Sequence, residues 1–465
     1  MRLLTYLAAM FCLGVSACSG GLRSGGESLS GNRSAACALG ITNVNLIPMT
    51  ENLVRYGQTI LFSRTEILGI SNKPENAAGC DQVIDGTDRY LLPGLNDMHT
   101  HVENTAFEQG FGLDPAPLPF DALMAPYLVN SVTGMRVLSG SPDLVAYRDS
   151  TAIGDRAPRL VVASPMLSAT PPVLPEPITR IVDNPTAARA AVREYAAAGY
   201  DLIKIRRNLK LPVYLAVIEE AHFSGLHVDG HVTRDAESFA QLLTLGQDGF
   251  AHLEELASKT PEKLSVEELA ALLVECGCYV STTIGVLPNI SRQINDYDGL
   301  VARDEMRVMH PLMTNKFWLK PNNPYLREGA PSEFFDALAM KTSSIVKPLY
   351  DAGVPLLAGS DAINPMIIPG YGLLDELDLL VEAGLSPFEA LRTATVIPAQ
   401  SVPGFERVGS LEKGRASNAV LLATNPLKDL AVLHRPDAVI LNGFFLDQAE
   451  LDSRLNAAIN IVKQP

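Results

Sequence analysis

From residue 187 to residue 360 the chain alternates between helical and strand-like hydrophobic periods. Residues 187–198 form an alanine-rich helical stretch that stops at Gly199, a residue suited to the left-handed turn at a helix end. The strand Tyr200-Asp201-Leu202-Ile203-Lys204-Ile205 follows. The unit then recurs. Helical residues 213–223 lead to strand 226–231, 236–245 to strand 250–252, 266–275 to strand 279–283, and 343–352 to strand 354–360. Strands separated by helices pair in parallel, with the helices packed outside. The alternation starts near Leu95 and runs for about 300 residues, the length class of a (β/α)8, TIM-like barrel. The expected barrel spans residues 93–403.

The two chain ends read differently. Residues 38–92 carry short apolar runs at 44–47, 59–62, 66–70 and 83–85, split by turn residues. Residues 404–465 become strand-like again at 419–422 and 438–441, and the second run ends on the turn pair Asn442-Gly443. Together, 38–92 and 404–465 are expected to build one small β-sandwich. Two stretches, 102–120 and 283–343, lack clear periodicity and are expected as long loops at the barrel mouth.

The first residues fit neither domain. Arg2 precedes an apolar run, 3–15, too short to span a bilayer. Val15-Ser16-Ala17-Cys18 resembles a bacterial lipobox, so 1–17 reads as an export signal and 18–37 as a flexible tether. Lipidation of Cys18 is expected, over an ordinary cleaved signal with an incidental cysteine. The protein is then exported, periplasmic or on the outer surface, and touches membrane only through that lipid. Lys and Arg number 37 against 52 Asp and Glu, a net charge of −15 that argues against nucleic acid as a partner. Export permits disulfides. Cys37–Cys80 is the expected pair, because both flank the same small N-terminal segment. Cys276-Gly277-Cys278 reads as buried thiols rather than as half of a metal site.

The chemistry gathers at strand ends. In His99-Thr100-His101, period two points both imidazoles to one side. His231 and His252 each end a strand, and Asp361 follows the run Val354-Pro355-Leu356-Leu357-Ala358-Gly359-Ser360. Catalytic residues of a parallel barrel collect at that face. Lys204 is the unusual one. With Ile203 and Ile205 toward the helices, its ammonium enters the barrel, where burial favours the neutral amine. A neutral amine can add carbon dioxide and become an anionic carbamate ligand. Arg206 shares the face of Lys204 and is a candidate to bind a substrate carboxylate or to pair with an acidic loop. Arg207 is expected to face outward. Asp229 and His227, on the face of His231 but deeper, are read as groups orienting the ligands or as a satisfied polar core.

These motifs resemble the amidohydrolase superfamily, in its binuclear-metal branch with a carboxylated lysine, and within it prolidase- and imidazolonepropionase-like members. Pro93-Gly94-Leu95-Asn96-Asp97-Met98-His99-Thr100-His101, Ile203-Lys204-Ile205, Gly230-His231, Ala251-His252 and Gly359-Ser360-Asp361 are similar to its strand-end motifs. The resemblance implies one metal ion on His99, His101 and Asp361 and a second on His231 and His252. Carboxylated Lys204 and a hydroxide would bridge them. Two divalent ions, zinc by expectation, would activate the hydroxide, with Asp361 as general base and then acid. The implied substrate is small, a dipeptide or an N-acyl amino acid cleaved at its C–N bond. A lactonase or phosphotriesterase on the same site, and a lipid-anchored binding protein with a vestigial site, stay open as alternatives. Arg234 stands where mononuclear deaminase relatives carry a catalytic glutamate, which argues against that reaction. Residues 132–138 lack the Arg-Asp pair usual in the third strand. The oligomeric state is not legible.

Overall fold

Short strands open the described residues. A computed structural model describes residues 36–463, apart from 103–117, 152–156, 171–177, 236–237, 260–263, 312, 315–317, 320–321, 324–325, 327–328, 330 and 365. The export signal, Cys18, nearly all of the tether and most of the 102–120 stretch therefore lie outside the described residues. β1 (Leu39–Leu46) pairs antiparallel with β2 (Arg55–Phe62), which pairs with β3 (Ile67–Ser71). β4 (Gln82–Asp85) and β5 (Tyr90–Pro93) lie parallel to β1. The Cys37–Cys80 disulfide forms as expected and fastens the entry to β1 to the entry to β4.

After Gly94 the chain enters a second architecture. β6 (Leu95–Thr100), β7 (Val132–Val137) and β8 (Arg159–Val162) make a three-stranded parallel sheet. β9 (Met166–Ser168), β10 (Thr179–Ile181), β11 (Leu202–Ile205), β12 (His227–Gly230), β13 (Gly249–Phe250), β14 (Tyr279–Ser281) and β15 (Leu356–Leu357) make a seven-stranded one. Its order is β10-β9-β11-β12-β13-β14-β15. Most of these strands are buried on both faces, which is why they read as near-continuous apolar runs. Single bridges join the two sheets at Ala163–Leu202 and Thr100–Ala362. The Met98 N–H donates to the Ala358 carbonyl at 2.9 Å and Ser164 N–H to Leu202 at 2.8 Å. The mixed α/β arrangement is consistent with a TIM-like barrel, although its two sheets meet through bridges rather than continuous ladders.

The C-terminal strands return to the first sheet. β16 (Ala419–Leu422) pairs antiparallel with β5, β17 (Ala438–Leu441) with β16, and β18 (Phe444–Asp447) with β17. Both chain ends thus share one eight-stranded sheet. The chain finishes in the helix Gln448–Val462, packed on the helix Phe120–Val129. No described helix is long and apolar enough to cross a membrane.

Three expectations need correction. The 283–343 stretch is not an open loop. It holds the helices Val286–Asn295 and Tyr297–Val301, a tight turn of helix at Asp304–Val308, and the start of the helix Ser332–Asp351. Val286, Leu287, Ile290, Met306 and the fully buried Trp318 share a core there, so burial, not a long clean period, stabilises the helices. Cys276 and Cys278 are bonded to each other rather than free. Gly277 takes a left-handed φ of 68°, which brings the two Cα atoms to 5.2 Å. Residues 132–137 form β7, the second parallel strand after Gly94 rather than the third.

Cys37 and Cys80 lie 43 residues apart, and closing such a loop restricts the unfolded chain by about 4 kcal/mol. Replacing both by serine is expected to lower the unfolding free energy by about 2–4 kcal/mol in urea titrations, with no change in the folded-state circular dichroism.

Candidate metal centre

Every site residue predicted on the strand ends converges on one region. His99 sits within β6, fully buried, with neither ring nitrogen in a hydrogen bond. His101 follows the strand on the same side, and its Nδ1 lies 2.6 Å from the Ser139 hydroxyl. Asp361 brings its Oδ1 to 3.3 Å from His99 Nε2 and 3.0 Å from His101 Nε2. One donor atom from each of these three residues lies within 4.8 Å of the other two. The Asn364 amide donates to Asp361 Oδ2 at 2.5 Å. The Asp361 carboxyl titrates at about 2: its burial is outweighed by the His252 and His101 rings and the Asn364 amide.

Lys204, His231 and His252 form the other half. Lys204 is 1% exposed on β11, and its Nζ has no hydrogen-bond partner. Burial lowers its pKa to about 8. Its charge is felt at His99, His231 and His252. The rings of His99 and His252 are 4.6 Å apart and those of His231 and His252 5.0 Å. Burial depresses all three imidazoles, His252 to about 3. They are therefore neutral, the form that offers a lone pair to a metal. His252 Nδ1 lies 3.0 Å from the Thr283 hydroxyl and 4.0 Å from Asp361 Oδ2, so it links the two groups.

The strands end earlier than their sequence suggested, and this aims the side chains. β12 stops at Gly230, β13 at Phe250 and β15 at Leu357, so His231, His252 and Asp361 lie just beyond their strands. Gly230 is required where it stands: a Cβ there would sit 2.2 Å from the Ile205 carbonyl oxygen. His252, Thr283 and Asp361 all take positive φ, 67°, 44° and 57°. Non-glycine residues rarely do so, and such conformations cluster at functional sites.

Arg206 is half-buried just past β11. Arg207 is exposed, as expected, and its Nη2 lies 2.6 Å from Glu255 Oε1 and 3.2 Å from His231 Nδ1. β11 ends at Ile205, so period two no longer governs Arg207. Arg234 is exposed. Asp229 lies beside Lys204 in register, and His227 opens β12 against the ring of Tyr279.

Four contributors escaped the sequence reading. Glu255 binds His231 Nδ1 at 2.7 Å through Oε1 and accepts from Val232 N–H at 2.9 Å through Oε2. Arg136, fully buried on β7, donates to the Met98 carbonyl (2.7 Å), Asp229 (2.5 Å) and the Ser281 hydroxyl (2.7 Å). A charge inside an apolar strand, the signal that singled out Lys204, would have found it. Asp97 accepts from the Ser360 hydroxyl at 2.6 Å, and burial raises it to about 6. Glu376 accepts from Thr282, Ile284 and Gly285 and so holds the chain just after β14.

The donor set fits divalent ions. Three neutral imidazoles without a cation, an ionised carboxylate, and buried His99 and Lys204 nitrogens with no hydrogen-bond partner are costly unless something binds them. Comparisons with known proteins agree with a hydrolytic centre. A sequence profile of the amidohydrolase family matches residues 152–445. A search of curated protein sequences finds no match. Among solved structures, a Xaa-Pro dipeptidase with methionine bound in its active site is similar at 19% identity and a TM-score of 0.66, over 88% of this chain and 99% of that one. Bottromycin amidohydrolase gives 21% and 0.69 over 91% and 90%. Ochratoxinase from A. niger gives 20% and 0.65 over 89% and 96%. At these identities the structures speak for the fold alone.

Two stability measurements follow. Arg136→Met leaves Asp229 buried without its cation and is expected to cost about 3–5 kcal/mol in urea unfolding, much of it recovered by adding Asp229→Leu. Burial raises the Glu376 carboxyl from 4.5 to about 7. A folded-state pKa above the unfolded one favours folding at low pH, so stability should fall by up to about 3 kcal/mol as pH rises from 4.5 through 7. Glu376→Gln should flatten that part of the pH–stability curve.

Proposed function

The chain belongs to the amidohydrolase family, and on that premise we propose that it hydrolyses the C–N bond of a small dipeptide or N-acyl amino acid at a binuclear metal centre. His99, His101 and Asp361 would hold one ion and His231 and His252 the other, with zinc the ion proposed. Lys204 would join them as a carbamate: carbon dioxide forms a bond to the neutral Nζ and one proton leaves. The observation that carries this reading is the Lys204 amine itself, buried without a hydrogen-bond partner within electrostatic reach of three neutral histidines. A partnerless ammonium in that position would be costly, and a carbamate gives the group both a charge partner and a role.

When bound, such ions polarise the scissile carbonyl and lower the pKa of an attacking water. Asp361 Oδ1, beside both His99 and His101, would accept the water's proton and return it to the leaving nitrogen. Its low pKa keeps it ionised at neutral pH, as a base must be. Ser139 and Glu255 hold His101 and His231 by their Nδ1 atoms, which fixes the ring orientations. Family membership favours hydrolysis, and the C–N bond is the choice proposed within it. Export, lipid attachment at Cys18 and a β-sandwich built by the two chain ends complete the proposal. The mass of the mature protein tests the lipid.

The decisive experiment combines metal analysis with a substrate screen. Two divalent ions per chain are expected, and fewer in Lys204→Ala. Dipeptides and N-acyl amino acids should turn over while lactones and phosphotriesters do not. Asp361→Asn should lower kcat about 10²- to 10⁴-fold. Full activity in His99→Asn, or preferred turnover of lactones or phosphotriesters, would contradict the reading.

A further inference from the structure

A cavity of about 340 Å³ opens where turns of the eight-stranded sheet meet the starts of parallel strands. Arg159, the first residue of β8, and Asp201, just before β11, line it. So do Arg407, between the helix Val396–Ser401 and β16, and Asn418, just before β16. In register, Arg159 lies level with Gly134 and Asn96, near the start of β6, whereas His99 and His101 lie at the end of that strand. The cavity is therefore at the opposite end of the three-stranded sheet from the metal centre.

Three arginines line the cavity against one aspartate, an excess of two positive charges in a chain whose net charge is −15. Arg148 is spent. It donates to Asp149, Asp201 and the Gly199 carbonyl, and so neutralises Asp201. The other two are not spent. Arg159 donates only from Nη1, to the Gly404 carbonyl at 2.6 Å, and has no ion pair among the described residues. It keeps the adjacent Nε and Nη2, a complete two-donor edge. Arg407 uses only Nη2, for Glu66 Oε2 and the Gly414 carbonyl, each at 3.1 Å, and keeps Nη1. The Arg407 charge is felt at Arg159 as a repulsion, which Glu406 and Asp201 oppose. Glu406 is itself engaged, since its Oε1 accepts from the Gly404 N–H at 2.9 Å. An anion between two like charges replaces their repulsion by attraction. Asn418 adds a neutral donor: its Oδ1 accepts from the Asn442 N–H at 2.8 Å, which leaves its NH2 to donate. A guanidinium edge matches phosphate by two parallel hydrogen bonds, and a phosphate ester carries about −1.5 to −2 charges, close to the excess lining this cavity.

We propose that this cavity binds a phosphate group, free or as a small phosphate ester, on the Nε–Nη2 edge of Arg159 with Arg407 as the second cation. Bound there, the anion ties the start of β8 to the segment that returns the chain to the eight-stranded sheet, so occupancy stabilises that junction. The site is separate from the metal centre and does not depend on the hydrolytic reading above.

The test uses the metal-loaded protein with ionic strength held constant by chloride. Inorganic phosphate and glycerol 3-phosphate are each titrated calorimetrically and in thermal unfolding. At least one of them should bind saturably and raise Tm, while chloride alone does not. The tighter of the two identifies the source as the free anion or an ester. Arg159→Met should weaken that binding about 10- to 100-fold, the range for hydrogen bonds to a charged group. Arg407→Met should weaken it as well. Arg159→Lys, which keeps the charge but loses the two-donor edge, should recover part of it, and it carries the comparison if Arg159→Met does not fold. Metal content should stay that of wild type in all three variants. Absence of saturable binding of both probes would overturn the proposal. So would binding that survives Arg159→Met and Arg407→Met but is lost in His99→Asn, because that anion sits at the metal centre.

Discussion

Asp361 closes the structure and the candidate site with one set of contacts. Its backbone N–H donates to the His99 carbonyl at 2.7 Å, at the seam where β15 meets β6. Its carboxylate reaches the His99 and His101 rings. β6 and the segment after β15 therefore cannot separate without pulling the donors apart. Asp97 reinforces the seam from below by accepting from both the N–H and the hydroxyl of Ser360. The positive φ of Asp361 is sustained by this surround, since local backbone preference opposes it.

The interior between the two parallel sheets is where desolvation acts most strongly. Lys204, Arg136, Asp229, Asp97 and His99 are all essentially removed from water. Arg136 and Asp229 neutralise each other, and Arg136 spends its remaining donors on a carbonyl and a hydroxyl of neighbouring strands. Lys204, next to Asp229 in register, has no such bonds. One buried basic side chain is thus satisfied and structural, while the other keeps a nitrogen without a hydrogen-bond partner. The same low dielectric keeps the three histidines neutral and makes each orphaned nitrogen a strong incentive for an ion to bind.

Around that core, the surrounding segments steer the ligands. Glu255, on the helix just after His252, ties together the turns after β11 and β12 through Arg207, His231 and Val232. Glu376, on the helix Tyr371–Glu382, grips residues 282–285, and Thr283 in turn meets His252. The eight-stranded sheet takes strands from before β6 and after β15, and β5 runs into β6 with only Gly94 between them.

Much of this was readable from residues alone. Period two gives the shared face of His99 and His101. A lysine between isoleucines in a strand reads as buried, and helix–glycine–strand repeats read as a parallel α/β fold. The Cys37–Cys80 pair was legible too. These are local patterns, set by backbone geometry and burial within a few residues. Tertiary structure alone decided the partners. Arg136 meets Asp229 across 93 residues of sequence, and His101 meets Asp361 across 260. The 283–343 helices form because a shared core buries their apolar faces, which no short window reveals. Arg207 finds Glu255 on the helix after β13, a pairing no short window reveals. Sequence determined which side chains lose water; only the folded chain determined what each then touches, because hydrophobic period is a property of neighbours in the chain and ion pairing a property of neighbours in space.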